Sequence, residues 1–250
     1  MDIYYSLNTT FSNNVGNNLS NIDIINMYKV SINRVKRIYP NSNITILLDS
    51  NAHKYFINEG INIVITNCTN LLFSEIKIKA IEHWVVNSNI DSTLMLIDGD
   101  VLFNSKIDFN DIDKDFIYCE HDEISIFESH YKQYFNEILS KNINNISKIF
   151  VKPKFITNMG LVIINNKYIM LDYIKNYYTI KNFVATNFGS TDYGNYKMNM
   201  LIEQLVLTQT IISNKLNIKF LNNTNSYVHY YGTLKNNVEF VNMINEELSL

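Results

Sequence analysis

The sequence predicts an α/β fold, a single domain over residues 1–250 with a mostly parallel central sheet flanked by helices. Three observations carry this. Short apolar runs alternate with segments of helical period in the N-terminal half, the pattern of successive βαβ units. The run Leu94-Met95-Leu96-Ile97 has no polar interruption, as expected of a central strand covered on both faces. Finally, 250 residues at 46% hydrophobic content can bury one substantial core, and no repeat, linker or proline-rich stretch divides the chain.

The elements follow in order. Residues 2–7 read as a strand and Asn8 to Asn18 as a polar turn. Ile25, Tyr28, Ile32 and Val35 then recur at helical spacing until Pro40 stops the run. Ile44 to Leu48 reads as a buried strand, Ala52 to Asn58 as a short helix, and Ile61 to Ile65 as a strand after the break at Gly60. Ser74 is positioned to cap a helix with Glu75 in its first turn and Ile76, Ala80, Ile81, Trp84 and Val85 on one face. The strand Leu94–Ile97 then delivers Asp98 to the carboxyl edge of the sheet, where open α/β sheets bind ligands. A strand is expected around Phe116 to Cys119, a helix around Ser129 to Leu139, and a buried strand over Gly160 to Asn165. A helix from about Met200 to Leu216, with Leu201, Leu205, Thr208 and Ile212 on one face, and a strand near Ile218 to Leu221 follow. His229 to Lys235 reads as a C-terminal loop.

Composition narrows the partners. A net charge of -3 with scattered lysines offers no basic stripe, so nucleic acid is not an expected partner. Cys68 and Cys119 are far apart in apolar surroundings, which predicts buried thiols in a reducing, cytoplasmic setting. No basic leader and no run of eighteen apolar residues occurs, so no membrane span is expected. Proline (2) and glycine (7) are scarce while apolar residues stay plentiful, which argues against disorder.

Two short motifs carry chemistry. Asp98-Gly99-Asp100 sets two carboxylates around a glycine at a strand end, oxygen ligands suited to Mn2+ or Mg2+ against a diphosphate. Gly99 would let the backbone approach a ligand closely. Alone, a D-x-D triplet is usually a solvated acidic turn; four buried residues directly before it favour the metal. His229-Tyr230-Tyr231-Gly232-Thr233-Leu234-Lys235 offers an imidazole as third metal ligand, a glycine N–H for a phosphate and a lysine as its counter-charge. Taken by itself His229 would be an ordinary loop histidine.

With these residues in hand, the chain resembles the retaining glycosyltransferases of family eight, the group of glycogenin and bacterial lipopolysaccharide galactosyltransferases, over most of its length. Leu96 to Leu102 is similar to the family's D-x-D strand, and His229, Gly232 and Lys235 meet its H-x-x-G-x-x-K pattern in full. Asn158 to Asn165 is similar to its N-[AS]-G-V-x-x-I-N strand, whose asparagine contacts the donor sugar. The resemblance implies a GT-A, Rossmann-like fold, a divalent cation (Mn2+ or Mg2+) on Asp98, Asp100 and His229, and a UDP-sugar donor. It implies that Leu7, Asn8 and Thr9 lie at a uridine-binding strand end and that Lys79 reaches the donor. It places Gln204 near the anomeric carbon beside Glu203 at the head of a helix, and Gly232 and Lys235 at the diphosphate. The chain departs from the family's pattern in three places, Met159 for a small residue, Glu203 for aspartate, and Asn236-Asn237 for Pro-Trp, and all three bear on the donor sugar and acceptor rather than on the metal and diphosphate.

The implied reaction is a retaining hexosyl transfer. No carboxylate stands out as a covalent nucleophile, so a front-face displacement is preferred, with charge on the leaving diphosphate stabilised by the cation and Lys235. Two alternatives remain. A nucleotidyltransferase forming nucleotide-sugars would need a basic glycine-rich loop after the first strand, and residues 8–16 hold no lysine or arginine. An inert carbohydrate-binding protein of the same fold would be expected to have lost Asp98, Asp100 or His229. The acceptor, whether glycan, protein or lipid, is open, as is a homodimer.

Overall fold

The computed structural model describes residues 1–9, 19–68, 71, 74–107, 116–141, 152–193, 196–221, 225–230 and 238–249, with backbone only at 190–193 and 196–200. Nine strands are seen among them: β1 Asp2–Leu7, β2 Asn43–Leu48, β3 Asn62–Ile65, β4 Leu94–Ile97, β5 Val101–Phe103, β6 Phe116–Cys119, β7 Leu161–Ile164, β8 Asn217–Phe220 and β9 Tyr227–His229. Seven form a sheet in the order β3-β2-β1-β4-β7-β6-β8, and β5 pairs with β9 in a separate ribbon. All pairings in the large sheet are parallel except those of β7, which runs against both β4 and β6. The expected mostly parallel sheet is therefore present, with one reversed strand.

That reversal positions the site. Ile97 at the end of β4 sits opposite Leu161 at the start of β7, and the Asp98 N–H donates to the Gly160 carbonyl at 2.8 Å. Glu120, following β6, donates its N–H to the Leu161 carbonyl at 3.1 Å. The carboxyl ends of β4 and β6 and the beginning of β7 thus meet at one edge.

Strand side chains alternate between two cores, as the period of two requires. Ile3, Tyr5, Ile46, Met95, Ile97 and Ile163 face one cluster with helix α1 (Asn21–Ile38) and α8 (Val238–Ser249). Tyr4, Leu47, Leu94, Leu96, Val162 and Ile164 face the other, with α3 (Glu75–Asn87), α6 (Lys167–Tyr193) and α7 (Tyr196–Ser213). Helix α1 begins with a reciprocal capping box between Ser20 and Asp23 and ends at Ile38, two residues before Pro40. Burying its face, which includes Ile25, Val30, Ile32 and Val35, stabilises the fold by about 1.5–3 kcal/mol for each of these side chains. Short α2 (Ser50–His53) is capped by Asp49, and turns replace the expected helix as far as Asn58.

Other expectations change. Ser74 does not cap α3 with its side chain; its hydroxyl meets the Tyr177 hydroxyl at 3.2 Å, and Glu75 pairs with Lys181. Helix α6 was not anticipated; its backbone departs from helical geometry at Gly189, where φ is 76°. In α7 every residue from 201 to 211 is buried, whereas Ile212, expected on the apolar face, is 41% exposed. A helix enclosed on all sides has no polar face to show, so its polar residues lie within the core. The helical stretch around Ser129 to Leu139 is α4 (Ile124–Ile126), a π-helical turn (Phe127–Tyr131) and α5 (Lys132–Ser140) in succession. Both cysteines are buried free thiols, and burial pushes Cys68 up to about 11. No helix among the described residues is long and apolar enough to cross a membrane.

Candidate functional site

Asp98 and Asp100 leave β4 on a tight turn in which the Val101 N–H donates to the Asp98 carbonyl at 3.1 Å. His229 is not in a loop as expected: it ends β9, directly opposite Val101 in the β5–β9 ribbon, and the Tyr230 N–H donates to the Asp100 carbonyl at 2.9 Å. Backbone register therefore brings the histidine to the acidic motif across 129 residues of sequence (229 minus 100). One ligand atom from each of Asp98, Asp100 and His229 lies within 4.8 Å of the other two.

This donor set fits a hard divalent cation. Two carboxylates supply oxygen, and the imidazole Nε2 faces Asp100 Oδ1 at 3.3 Å while its Nδ1 lies 2.6 Å from Glu120 Oε2. A carboxylate on the far nitrogen is the usual means of orienting a metal-binding histidine. Burial alone would lower the His229 imidazole, but Asp100 and Glu120 outweigh it and hold it up at about 10.

Glycines admit this crowding at two points. A Cβ on Gly160 would lie 2.4 Å from His229 Cε1, so only glycine lets the imidazole pass over the start of β7. A Cβ on Gly99 would lie 2.2 Å from the Tyr28 ring. Close approach at Gly99 is thus to an aromatic side chain of α1, whose hydroxyl donates to the Ser6 carbonyl at 2.7 Å. Burial raises the Tyr28 phenol, and the Asp98 and Asp100 charges raise it further.

A second cation stands beside Asp98. Lys77 Nζ lies 2.9 Å from Asp98 Oδ1 and 2.9 Å from Glu203 Oε1, and donates to the Met159 carbonyl at 3.1 Å. Burial opposes the Lys77 charge, yet Asp98 and Glu203 keep the ammonium protonated well above its ordinary range. Burial in turn raises both Asp98 and Glu203, with Lys77 pulling against it. Lys79, by contrast, pairs with Glu82 at 2.7 Å and lies over the Tyr178 ring. Helical spacing explains the difference, since Lys77 shares the stripe of Ile81 and Trp84 whereas Lys79 shares the face of Glu82.

Asn158 is placed at the same edge. Its Oδ1 accepts the Gly160 N–H at 2.6 Å and its Nδ2 donates to Glu123 Oε1 at 2.6 Å. His121 bridges Glu120 and Glu123, which hold its imidazole up at about 9 against burial. Glu203 and Gln204 are each 3% exposed in the middle of α7, not at the head of a helix as expected, and Gln204 Oε1 has no hydrogen-bond partner among the described residues. Leu7 ends β1; the buried Thr9 donates through its N–H and hydroxyl to Asp49 Oδ2 at 2.6 and 2.8 Å, which pins the expected uridine-binding segment Leu7-Asn8-Thr9. Gly232 and Lys235 lie outside the described residues.

Lys77, Glu120, Glu123, His121 and Tyr28 were missed in the sequence. Glu120 had a signal in the sequence, a carboxylate directly after an expected strand; the observed direction of β6, which runs as β4 does, brings it to the same edge. Lys77 was legible as a lysine on an apolar stripe.

No family model matches the chain, and no curated protein matches it. Solved structures do. The galactosyltransferase LgtC in complex with donor and acceptor sugar analogs superposes with a TM-score of 0.50 at 15% identity, covering 88% of this chain and 73% of that one. Mouse xyloside xylosyltransferase 1, in its apo form, gives a TM-score of 0.43 at 10% identity, covering 88% and 85%. The likeness to the first shows the fold: this chain has the GT-A glycosyltransferase fold.

Proposed function

We propose that the protein is a metal-dependent, retaining glycosyltransferase that moves a sugar from a UDP-sugar to a glycan, protein or lipid acceptor. The observation that carries this reading is the convergence of Asp98, Asp100 and His229 at the carboxyl edge of a GT-A sheet. Those three residues would hold Mn2+ or Mg2+, which when bound neutralises the diphosphate of the donor. Leu7, Asn8 and Thr9 receive the uridine, Asn158 and Glu203 bound the donor sugar, and Gln204 positions the anomeric carbon. Gly232 and Lys235 complete the diphosphate site, and Lys77, beside Asp98 and Glu203, takes the donor-side role expected of Lys79. The acceptor hydroxyl attacks the anomeric carbon from the face the diphosphate leaves, and its proton passes to the departing phosphate oxygen.

The test is a hydrolysis screen of nucleotide-sugars with Mn2+ and with excess chelator. Release of UDP from one UDP-sugar only with Mn2+ is expected. Turnover undiminished by chelator, or no turnover of any UDP-sugar by a protein that also fails to bind UDP, would overturn the reading.

A further inference from the structure

Asp98 has two claimants. Lys77 Nζ covers both of its oxygens, at 2.9 Å from Oδ1 and 3.1 Å from Oδ2, and the same carboxylate belongs to the set that can hold a cation. Lys77 is only 7% exposed, so its charge cannot turn to water and must keep a protein partner. Two such partners lie within reach without a change of rotamer: Glu203 Oε1 at 2.9 Å and the Met159 carbonyl at 3.1 Å. Glu203 is 3% exposed and its Oε1 already meets the ammonium at 2.9 Å, so it can keep that charge when Asp98 is withdrawn. A lysine is a point charge on a flexible stem and can move among three acceptors, which the planar fork of an arginine could not.

We propose that Lys77 is an internal competitor for the cation site, screening Asp98 until a divalent metal arrives, and that Glu203 retains the displaced ammonium. This rests on the reading of Asp98, Asp100 and His229 as metal ligands. The metal affinity of the resting protein is then set by how Lys77 divides itself between Asp98 and Glu203. Removing the lysine frees Asp98, and removing the Glu203 charge drives the lysine back onto it. The two substitutions therefore act with opposite sign, although both disrupt one ion-pair network.

The experiment is titration of the protein with Mn2+ alone, followed by electron paramagnetic resonance of the free ion, and repeated with UDP present. Lys77→Met should bind Mn2+ on the order of tenfold more tightly than the wild type, the effect of relieving about 1.4 kcal/mol of competition. Glu203→Gln should bind it several-fold more weakly. The double variant removes one charge of each sign and keeps the net charge, so it tests the idea even if Lys77→Met folds poorly; it too should exceed the wild type. Wild-type binding with no gain in Lys77→Met or in the double variant would overturn the competition while leaving the metal site standing. No binding by any form beyond that of Asp100→Asn, with or without UDP, would overturn both.

Discussion

Glu120 Oε2 lies 2.6 Å from Nδ1 of His229, and both side chains are buried, at 1% and 5% exposure. Glu120 stands one residue beyond β6 and so reaches the same edge as Asp98. It fixes the ring so that Nε2 faces Asp100. Replacing Glu120 by alanine should weaken Mn2+ binding by about 10–100-fold while leaving Asp98 and Asp100 in place. Glu120→Gln, which keeps an acceptor oxygen, should fall between. The Mn2+ dependence of donor hydrolysis measures this, and an unchanged half-saturating concentration in Glu120→Ala would remove Glu120 from the site.

Gly99→Ala should destabilise the protein by about 1–3 kcal/mol, because the new methyl overlaps the Tyr28 ring and that ring is held by its hydrogen bond to Ser6. The melting temperature should drop by about 2–4 °C for each kcal/mol. In a Tyr28→Ala background the same methyl has room, so the two substitutions should be strongly non-additive. Additive losses in thermal melts of the four proteins would show that the overlap is not the cause.

The C-terminal helix carries a pH signature. Arg34 holds the Glu247 carboxyl below its ordinary range, with Arg37 adding to it, and these pairs tie α8 to α1. A depressed carboxylate contributes stability that is fully present above its unfolded pKa, about 4.3, and is lost as pH falls through the lower folded value. The stability difference between wild type and Glu247→Gln should therefore be about 1 kcal/mol at neutral pH and shrink in acid. Denaturant melts from pH 7 downward check this; a difference that grows in acid would mean that the arginines do not set the Glu247 charge.

On the proposed reading, Lys235→Ala should lower turnover more than it weakens donor binding, because charge on a departing diphosphate grows as the glycosidic bond breaks. Donor hydrolysis at saturating Mn2+ and sugar nucleotide, alongside the donor Kd, separates the two. Unchanged turnover would remove Lys235 from the reaction, and a loss confined to affinity would make it a ground-state anchor.

Much of this architecture was legible because β4 and Asp98 follow from one uninterrupted apolar run and the rule that ligands gather at carboxyl edges. Direction was not legible: Leu161-Val162-Ile163-Ile164 is equally apolar read either way, so the reversal of β7 came only from its register with β4. Helix α6 had a readable stripe in Ile169, Tyr173, Tyr177, Ile180 and Val184, all buried, set among asparagines, lysines and tyrosines that resemble loop. The burial of Glu203 and Gln204 in mid-helix was not legible, because polar residues in a helix usually face solvent; enclosure of α7 by other elements is a property of the whole fold. His229 read as a loop residue because Tyr227-Val228-His229 is too short to register as a strand without its partner Val101-Leu102-Phe103.

The β5–β9 ribbon has a consequence for how this chain can diverge. His229 is placed by main-chain pairing with Val101, and Tyr230 beyond it is clamped by stacking on Phe240 at 4.2 Å between ring centroids. The spacing between Asp100 and His229 is thus insulated from the length of everything between Phe103 and Tyr227. Changes of chain length within that interval that leave the ribbon and the strands intact need not alter the distance from Asp100 to His229. A shift of one residue in the ribbon itself would do the opposite, turning His229 to the other face and leaving Glu120 and Asp100 facing each other without the imidazole between them.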